Sequence, residues 1–303
     1  MLRRTFMKDA ALTLAAASAM TRAALGAKAQ PFGLQLYTVM SALERDFEGT
    51  LASVAQIGYR EVETIGAFGR DPAHVRELLD KHGLVSPSQH MVPGDLYTVF
   101  EKLTRRELTF EDAGRHWREV MSLDRVGPIM EECIAQAKVL GQKYIVWQVL
   151  WPEQMQTRAL INGFCKALNT AGELCSREGL VLNYHNHDAE FSLHDGVIPY
   201  DVILENTDAK FVKFELDTYW ATKAGADPLV YFNKYPGRYR QCHLKDGTVN
   251  GEITTIGHGI MKFPVLLAAA RKAGIEHYYV EQDGAADPMK AIRQAYTYLR
   301  AIS

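Results

Sequence analysis

The sequence predicts an α/β chain closed into a (β/α)8 barrel. Three observations carry this. Short apolar runs alternate eight times with helix-length stretches, the mark of consecutive βαβ units. Successive later runs end in carboxylates and imidazoles, at His185 and His187, Glu215 and Asp217, His243 and Glu281, as happens when a barrel gathers side chains at one mouth. No glycine-rich phosphate fingerprint follows the first run, so a doubly wound open sheet lacks its usual support.

The elements follow in order. Residues 33–39 read as the first strand and 47–57 as a helix stopped by Gly58. Strand 60–65, helix 72–82 and strand 84–91 come next. Polar, charged residues over 93–126 break the rhythm and read as an insertion with helical pieces, its place after the third strand suggesting a lid. Helix 128–140 leads to strand 144–149. Helix 154–178 leads to strand 181–187. A short helix over 200–206 precedes strand 211–217. Helix 227–235, strand 239–245, helix 263–273, strand 278–281 and helix 288–302 complete eight strands.

Residues 1–29 stand apart. Arg3-Arg4-Thr5-Phe6-Met7-Lys8 is a twin-arginine pattern, an Ala-rich apolar run follows from Ala10 to Met20, and Ala27-Lys28-Ala29 offers a small-x-small cleavage site. The run is too short to span a bilayer. The expectation is an exported, periplasmic protein with a mature domain over 30–303. The chain holds 34 basic and 36 acidic residues. Residues 1–29 hold five basic residues (Arg3, Arg4, Lys8, Arg22, Lys28) and Asp9 alone, so the mature part keeps 29 basic and 35 acidic, a net charge of −6. An acidic domain without a basic run argues against nucleic acid as a partner and leaves a homo-oligomer open. Cys133, Cys165, Cys175 and Cys242 show no metal-type spacing. Cys165 and Cys175 lie ten residues apart on one helical pattern, too far for a disulfide, so buried free thiols are expected.

Alternate strand residues share a face. Glu215 therefore points with Asp217, His185 with His187, and His243 with Lys245. Imidazoles and carboxylates without a thiol suit Mn, Zn, Co or Fe and not a closed structural zinc site. Each residue also has a plainer role: a strand-end histidine can be a hydrogen-bonded wall, Asp217 can cap the next helix, and Glu281 can pair with Arg271 or Lys272. Recurrence at four successive strand ends favours the metal.

At Gln35-Leu36-Tyr37-Thr38, Gly58-Tyr59-Arg60-Glu61-Val62-Glu63, Tyr184-His185-Asn186-His187-Asp188-Ala189-Glu190-Phe191, Glu215-Leu216-Asp217-Thr218-Tyr219-Trp220, His243-Leu244-Lys245-Asp246, Ile256-Gly257-His258-Gly259 and Val280-Glu281-Gln282-Asp283, the chain resembles the sugar phosphate isomerase/epimerase group of the xylose isomerase-like TIM barrel superfamily. The resemblance covers essentially the whole mature chain. It implies Asp217, His243 and Glu281 as metal ligands, with His185, by position, where many relatives have a glutamate. His187 is the alternative ligand or an acid/base group. Glu281, His187 and Lys245 are the catalytic candidates, and Gln35, Glu63, His90, Glu190 and Trp220 the substrate-binding ones. Trp147, Tyr219 and Trp220 offer apolar faces for a sugar ring. DNA-repair endonucleases of the superfamily have a histidine three residues after the strand-six aspartate, where this chain has Trp220. The implied activity is metal-dependent isomerisation or epimerisation by proton abstraction beside a carbonyl, and the implied partner is a small-molecule carbohydrate. With one glutamate replaced by His185, elimination from an oxidised glycoside on the same barrel and non-catalytic sugar binding are the alternatives.

Overall fold

The computed structural model describes residues 32–303; the segment expected to direct export lies outside the described residues. Eight parallel strands close a barrel: β1 (Gly33–Gln35), β2 (Glu61–Ile65), β3 (Val85–His90), β4 (Tyr144–Trp147), β5 (Val181–His185), β6 (Val212–Asp217), β7 (Tyr239–Leu244) and β8 (His277–Val280). β1 closes the ring by pairing with both β2 and β8. The strands are largely buried on both faces; β4 reads as a continuous apolar run, whereas β2 and β3 carry the buried polar residues Glu61, Glu63, Ser88, Gln89 and His90.

Register positions the chemistry. Gln35 lies beside Glu63, Glu63 beside Ser88, His185 beside Glu215, and Asp217 beside His243. Paired residues of neighbouring parallel strands face the same side, so these polar groups stack inside the barrel toward its C-terminal mouth.

Helices 47–57, 263–273 and 288–302 form over the expected residues (Phe47–Ile57, Phe263–Ala273, Pro288–Ile302). Several strands end earlier than expected, for local reasons. β1 stops at Gln35 because its side-chain Oε1 accepts from the Tyr37 amide at 3.0 Å, turning Leu36–Val39 into a 3-10 helix. β5 stops at His185, so His187 lies beyond the strand, where its amide donates to Glu190 Oε1 at 3.0 Å. β7 stops at Leu244, one residue before Lys245. Two elements escaped the reading. Helix Thr218–Lys223 was not expected as an element, although its cap was: Asp217 Oδ1 accepts from the amides of Tyr219 and Trp220, both at 2.9 Å. Asp246–Gly247 pairs antiparallel with Ile253–Thr254. The Asp246 carboxylate gathers the amides of Gly257, Gly259 and Met261 at 2.9–3.1 Å, which accounts for the Ile256-Gly257-His258-Gly259 motif as a loop fastener.

The insertion folds into helices Leu96–Thr104 and Phe110–Val120. All four cysteines are buried and free, as expected. No helix among the described residues is long and apolar enough to cross a membrane.

Candidate active site and metal centre

A cavity of about 460 Å³ opens at the C-terminal mouth. Its floor is polar: His90, His185, His187, Lys245, Glu281 and Asp283. Its wall is apolar, with Val99, Phe100, Leu103 and Trp117 from the insertion facing Trp151 and Trp220. Phe100 and Trp117 meet edge to face at 4.9 Å. The insertion is thus a wall of the cavity.

Beneath the floor, three imidazoles converge on one carboxylate oxygen. Glu215 Oε2 lies 3.0 Å from His90 Nε2, 3.0 Å from His185 Nδ1 and 3.2 Å from His243 Nε2. Glu63 lies alongside, its Oε2 2.7 Å from His243 Nε2 and its two oxygens held by Gln35 Nε2 at 2.8 Å and Ser88 Oγ at 2.6 Å. Burial opposes charge throughout this cluster. Against it, Glu63 and Glu215 hold the His90 imidazole up to about 9, and Glu215 and Glu281 hold His243 well above the ordinary histidine range. Burial and the neighbouring His243 push His185 well below it.

His243 joins this cluster to another. Its Nδ1 lies 2.9 Å from Glu281 Oε2. Lys245 Nζ lies 2.7 Å from the same oxygen, 3.1 Å from Asp217 Oδ2 and 2.8 Å from Asp283 Oδ2. Burial would lower the Lys245 pKa, but these three carboxylates raise it well above the ordinary lysine value. Glu281, which burial alone would raise, is held well below the carboxylate range by Lys245 and His243. Asp217 moves the other way, its burial outweighing Lys245.

Two groups of donors could therefore hold a metal ion: His90, His185, Glu215 and His243, and Asp217, His243 and Glu281, the donor atoms of each within 4.8 Å of one another. The residue types fit a divalent ion of the Mn, Zn, Co or Fe kind. The four ligands implied by resemblance are divided: His185 falls with the first group, Asp217 and Glu281 with the second, and His243 belongs to both. Glu215 was not among the named candidates, although its shared face with Asp217 was the signal that would have found it.

His187 lines the cavity 5.8 Å from the Trp220 ring. Its ring has no hydrogen-bond partner among the described residues. Burial, then Lys245, lowers its pKa to about 4, so the imidazole is neutral at neutral pH. Tyr37 also faces the cavity, its phenol pushed up to about 12 by burial and by Asp283 and Glu281. Several expected substrate contacts lie deeper. Gln35 and Glu63 are buried below His243, and Glu190 lies behind His187, fully buried and hydrogen-bonded to Tyr184 Oη at 2.8 Å. His90 and Trp220 do reach the cavity. Trp147 is core, packed edge to face on Phe164 at 5.5 Å, and Tyr219 is buried too. Trp117, Trp151 and Phe100 supply the aromatic surface instead; no spacing rule marks which aromatic of an inserted segment turns inward.

Residues 51–302 match the model of a family described as xylose isomerase-like TIM barrel. The inosose dehydratase of Geobacillus thermodenitrificans (strain NG80-2) is 30% identical over 155 residues, 44% of this chain and 51% of that protein, so the match spans about half the length of that relative. The inosose dehydratase of Geobacillus kaustophilus (strain HTA426) is 22% identical over 282 residues, 82% of this chain and 83% of that one. The structure of a sugar phosphate isomerase/epimerase from Parabacteroides distasonis ATCC 8503 superposes with a TM-score of 0.74, covering 91% of this chain and 95% of its own at 24% identity, a likeness of fold.

Proposed function

Because the chain belongs to the xylose isomerase-like TIM barrel family, we propose that it is an enzyme that removes a proton beside the carbonyl of an unphosphorylated sugar or keto-sugar, as an isomerase or epimerase does. The observation that carries this is His187: a neutral, unpartnered imidazole facing a cavity of sugar size above a charged floor. A base must reach the proton it takes and be unprotonated when it arrives. Of the two bases named from sequence, Glu281 is already held by His243 and Lys245, whereas His187 is free to accept.

The remaining roles follow from position. The Tyr37 phenol, protonated over the working range, can donate a hydrogen bond to the oxygen on which charge develops. Lys245 faces three carboxylates within 3.1 Å, so it acts through its positive charge more than through a free N–H. The apolar wall excludes water from the face of the ring. A divalent ion held by His90, His185, Glu215 and His243, or by Asp217, His243 and Glu281, would supply Lewis-acid polarisation of the carbonyl. Lys245 is the one lysine or arginine among the lining residues and is already neutralised, which disfavours a phosphate.

Among the described residues, the lining carboxylates Glu281 and Asp283 are both engaged by Lys245, so no free carboxylate faces His187 across the cavity. Proton transfer on one face supports aldose–ketose isomerisation over two-base epimerisation. It also supports elimination of a neighbouring hydroxyl, the second reading, favoured by relatives named dehydratases.

The test is incubation with unphosphorylated aldoses, ketoses and keto-sugars in deuterated water, followed by nuclear magnetic resonance. Deuterium should enter the carbon beside the carbonyl, with an isomer or an alkene as product. His187→Gln should slow exchange by about 10²–10⁴-fold. Exchange at the full rate in that variant, or none with any sugar, would reject the proposal.

A further inference from the structure

We propose that the metal ion belongs to the deeper group, His90, His185, Glu215 and His243, and not to the carboxylates around Lys245. The first argument is the convergence on Glu215. Three ring nitrogens from three strands approach Oε2 at 3.0–3.2 Å, while Glu215 Oε1 is buried without a hydrogen-bond partner. Three donors crowding one oxygen beside an unused one is a poor hydrogen-bonding arrangement for a fully buried carboxylate. It is a good arrangement of ligands: metal–donor bonds of about 2.0–2.1 Å in a tetrahedron put neighbouring donors roughly 3.3 Å apart.

The second argument is charge. Glu63 and Glu215 are both fully buried, and among the described residues no lysine or arginine pairs with either. Their ion-pair partners among these residues are imidazoles, and imidazoles that bind a metal must be neutral. A divalent cation balances these two carboxylates. Asp217 Oδ2 also lacks a hydrogen bond, but Asp217, Glu281 and Asp283 already surround the Lys245 ammonium as ion-pair partners at 2.7–3.1 Å. A second cation among them would have to displace it or lie against it.

The third argument is orientation. His243 Nδ1 faces Glu281 Oε2 at 2.9 Å. With the proton on Nδ1, that contact fixes the tautomer whose Nε2 lone pair points to Glu215, the usual way a carboxylate orients a metal-binding histidine. Glu63, fastened by Gln35 and Ser88, is close enough to serve as a further oxygen donor. His90 and His185 line the cavity, so the ion would form part of its floor.

The test reads metal, not turnover, and so stands apart from the proton-abstraction proposal. The full-length protein is stripped with a chelator and titrated with Co²⁺. Ion content is measured by mass spectrometry and coordination by visible absorption. Wild type and Asp217→Asn should each take up about one ion per chain with the intense bands of a nitrogen-rich, four-coordinate site. Glu215→Gln should lose both signals. His90→Gln, which alters a residue at the cavity edge, should weaken uptake and shift the bands while circular dichroism remains native, covering the case in which Glu215→Gln does not fold. Loss of cobalt in Asp217→Asn with retention in Glu215→Gln would overturn the assignment. So would a wild-type protein that takes up no metal, which would leave the cluster a hydrogen-bonded imidazolium–carboxylate network and the His187 proposal untouched.

Discussion

At the scale of single residues, burial sets the terms on which each charge is held. Lys245 is 1% exposed and, among the described residues, is the only lysine or arginine paired with Asp217 and Glu281. Removing one member of a buried ion pair costs about 3–5 kcal/mol, so Lys245→Met should lower the unfolding free energy by that order, read as a lower melting temperature. A melt within a degree of wild type would show that the carboxylates are neutralised some other way. Glu190 supplies the pH dependence. Fully buried, it has a pKa raised to about 7, although the His187 amide and the Tyr184 hydroxyl both favour its charged form. A carboxyl whose folded pKa lies above its unfolded one adds stability below the unfolded value and loses it as pH rises through the folded value. The window is therefore from roughly 4.3 to about 7. Above it, wild type carries a penalty of about 3 kcal/mol, and Glu190→Gln does not. Thermal melts at pH 5 and pH 8 should show the variant gaining on wild type at the higher pH; a difference independent of pH would reject the shift. At this scale the sequence was legible where chemistry recurs at strand ends. Asp217, His243 and Glu281 could be named because each closes an apolar run. Alternation places Glu215 on the face of Asp217, but the resemblance implies only Asp217 from that strand, so the sequence gives Glu215 no role.

At the scale of elements, the barrel could be read because each strand is a run buried on both faces and each helix a separate periodic stretch. The boundaries that failed did so where a side chain captured a backbone amide. Gln35 ended β1, Glu190 took the amide of His187, and Asp217 opened the helix Thr218–Lys223. Each capture is local, a side chain taking an amide two or three residues away, and follows from residue type and turn chemistry, which a hydrophobic period does not encode. The insertion was recognisable as an interruption, but its inward face was not. Its helices carry Val99, Phe100, Leu103 and Trp117 to the cavity, giving a site with a charged floor and an apolar wall. Under the proposed function the wall would bind the substrate alike in ground and transition states and the floor would perform the chemistry, so the two should separate kinetically. With a substrate identified by deuterium exchange, Phe100→Ala should raise KM about 10-fold and change kcat less. An equal fall in kcat and kcat/KM would mean that Phe100 acts on the transition state, and the insertion would then be part of the machinery.

At the scale of the whole molecule, the thiols and the N-terminal segment bear on one question, where the chain folds. Cys133, Cys165, Cys175 and Cys242 are all buried and unpaired, and burial pushes each thiol upward, away from the reactive thiolate. A chain that unfolded into an oxidising compartment would expose four thiols to mispairing. One that folds in the reducing cytoplasm and crosses the membrane already folded would keep them as they are. The twin-arginine pattern, Arg3-Arg4 followed by an Ala-rich apolar run, would be the address of that second route, and the buried candidate metal donors would give the same reason to fold first. We propose export in this form. Expressed in a Gram-negative host with a working twin-arginine system, the wild-type chain should appear in the periplasm, shortened at its N-terminus and with all four thiols titrating only after denaturation. Replacing both arginines, Arg3→Lys and Arg4→Lys, should hold the chain in the cytoplasm as a protease-resistant folded barrel. Periplasmic delivery of the double variant, or wild type retained in the cytoplasm at full length, would refute the route. Disulfides in the periplasmic protein would refute the argument that folding comes first.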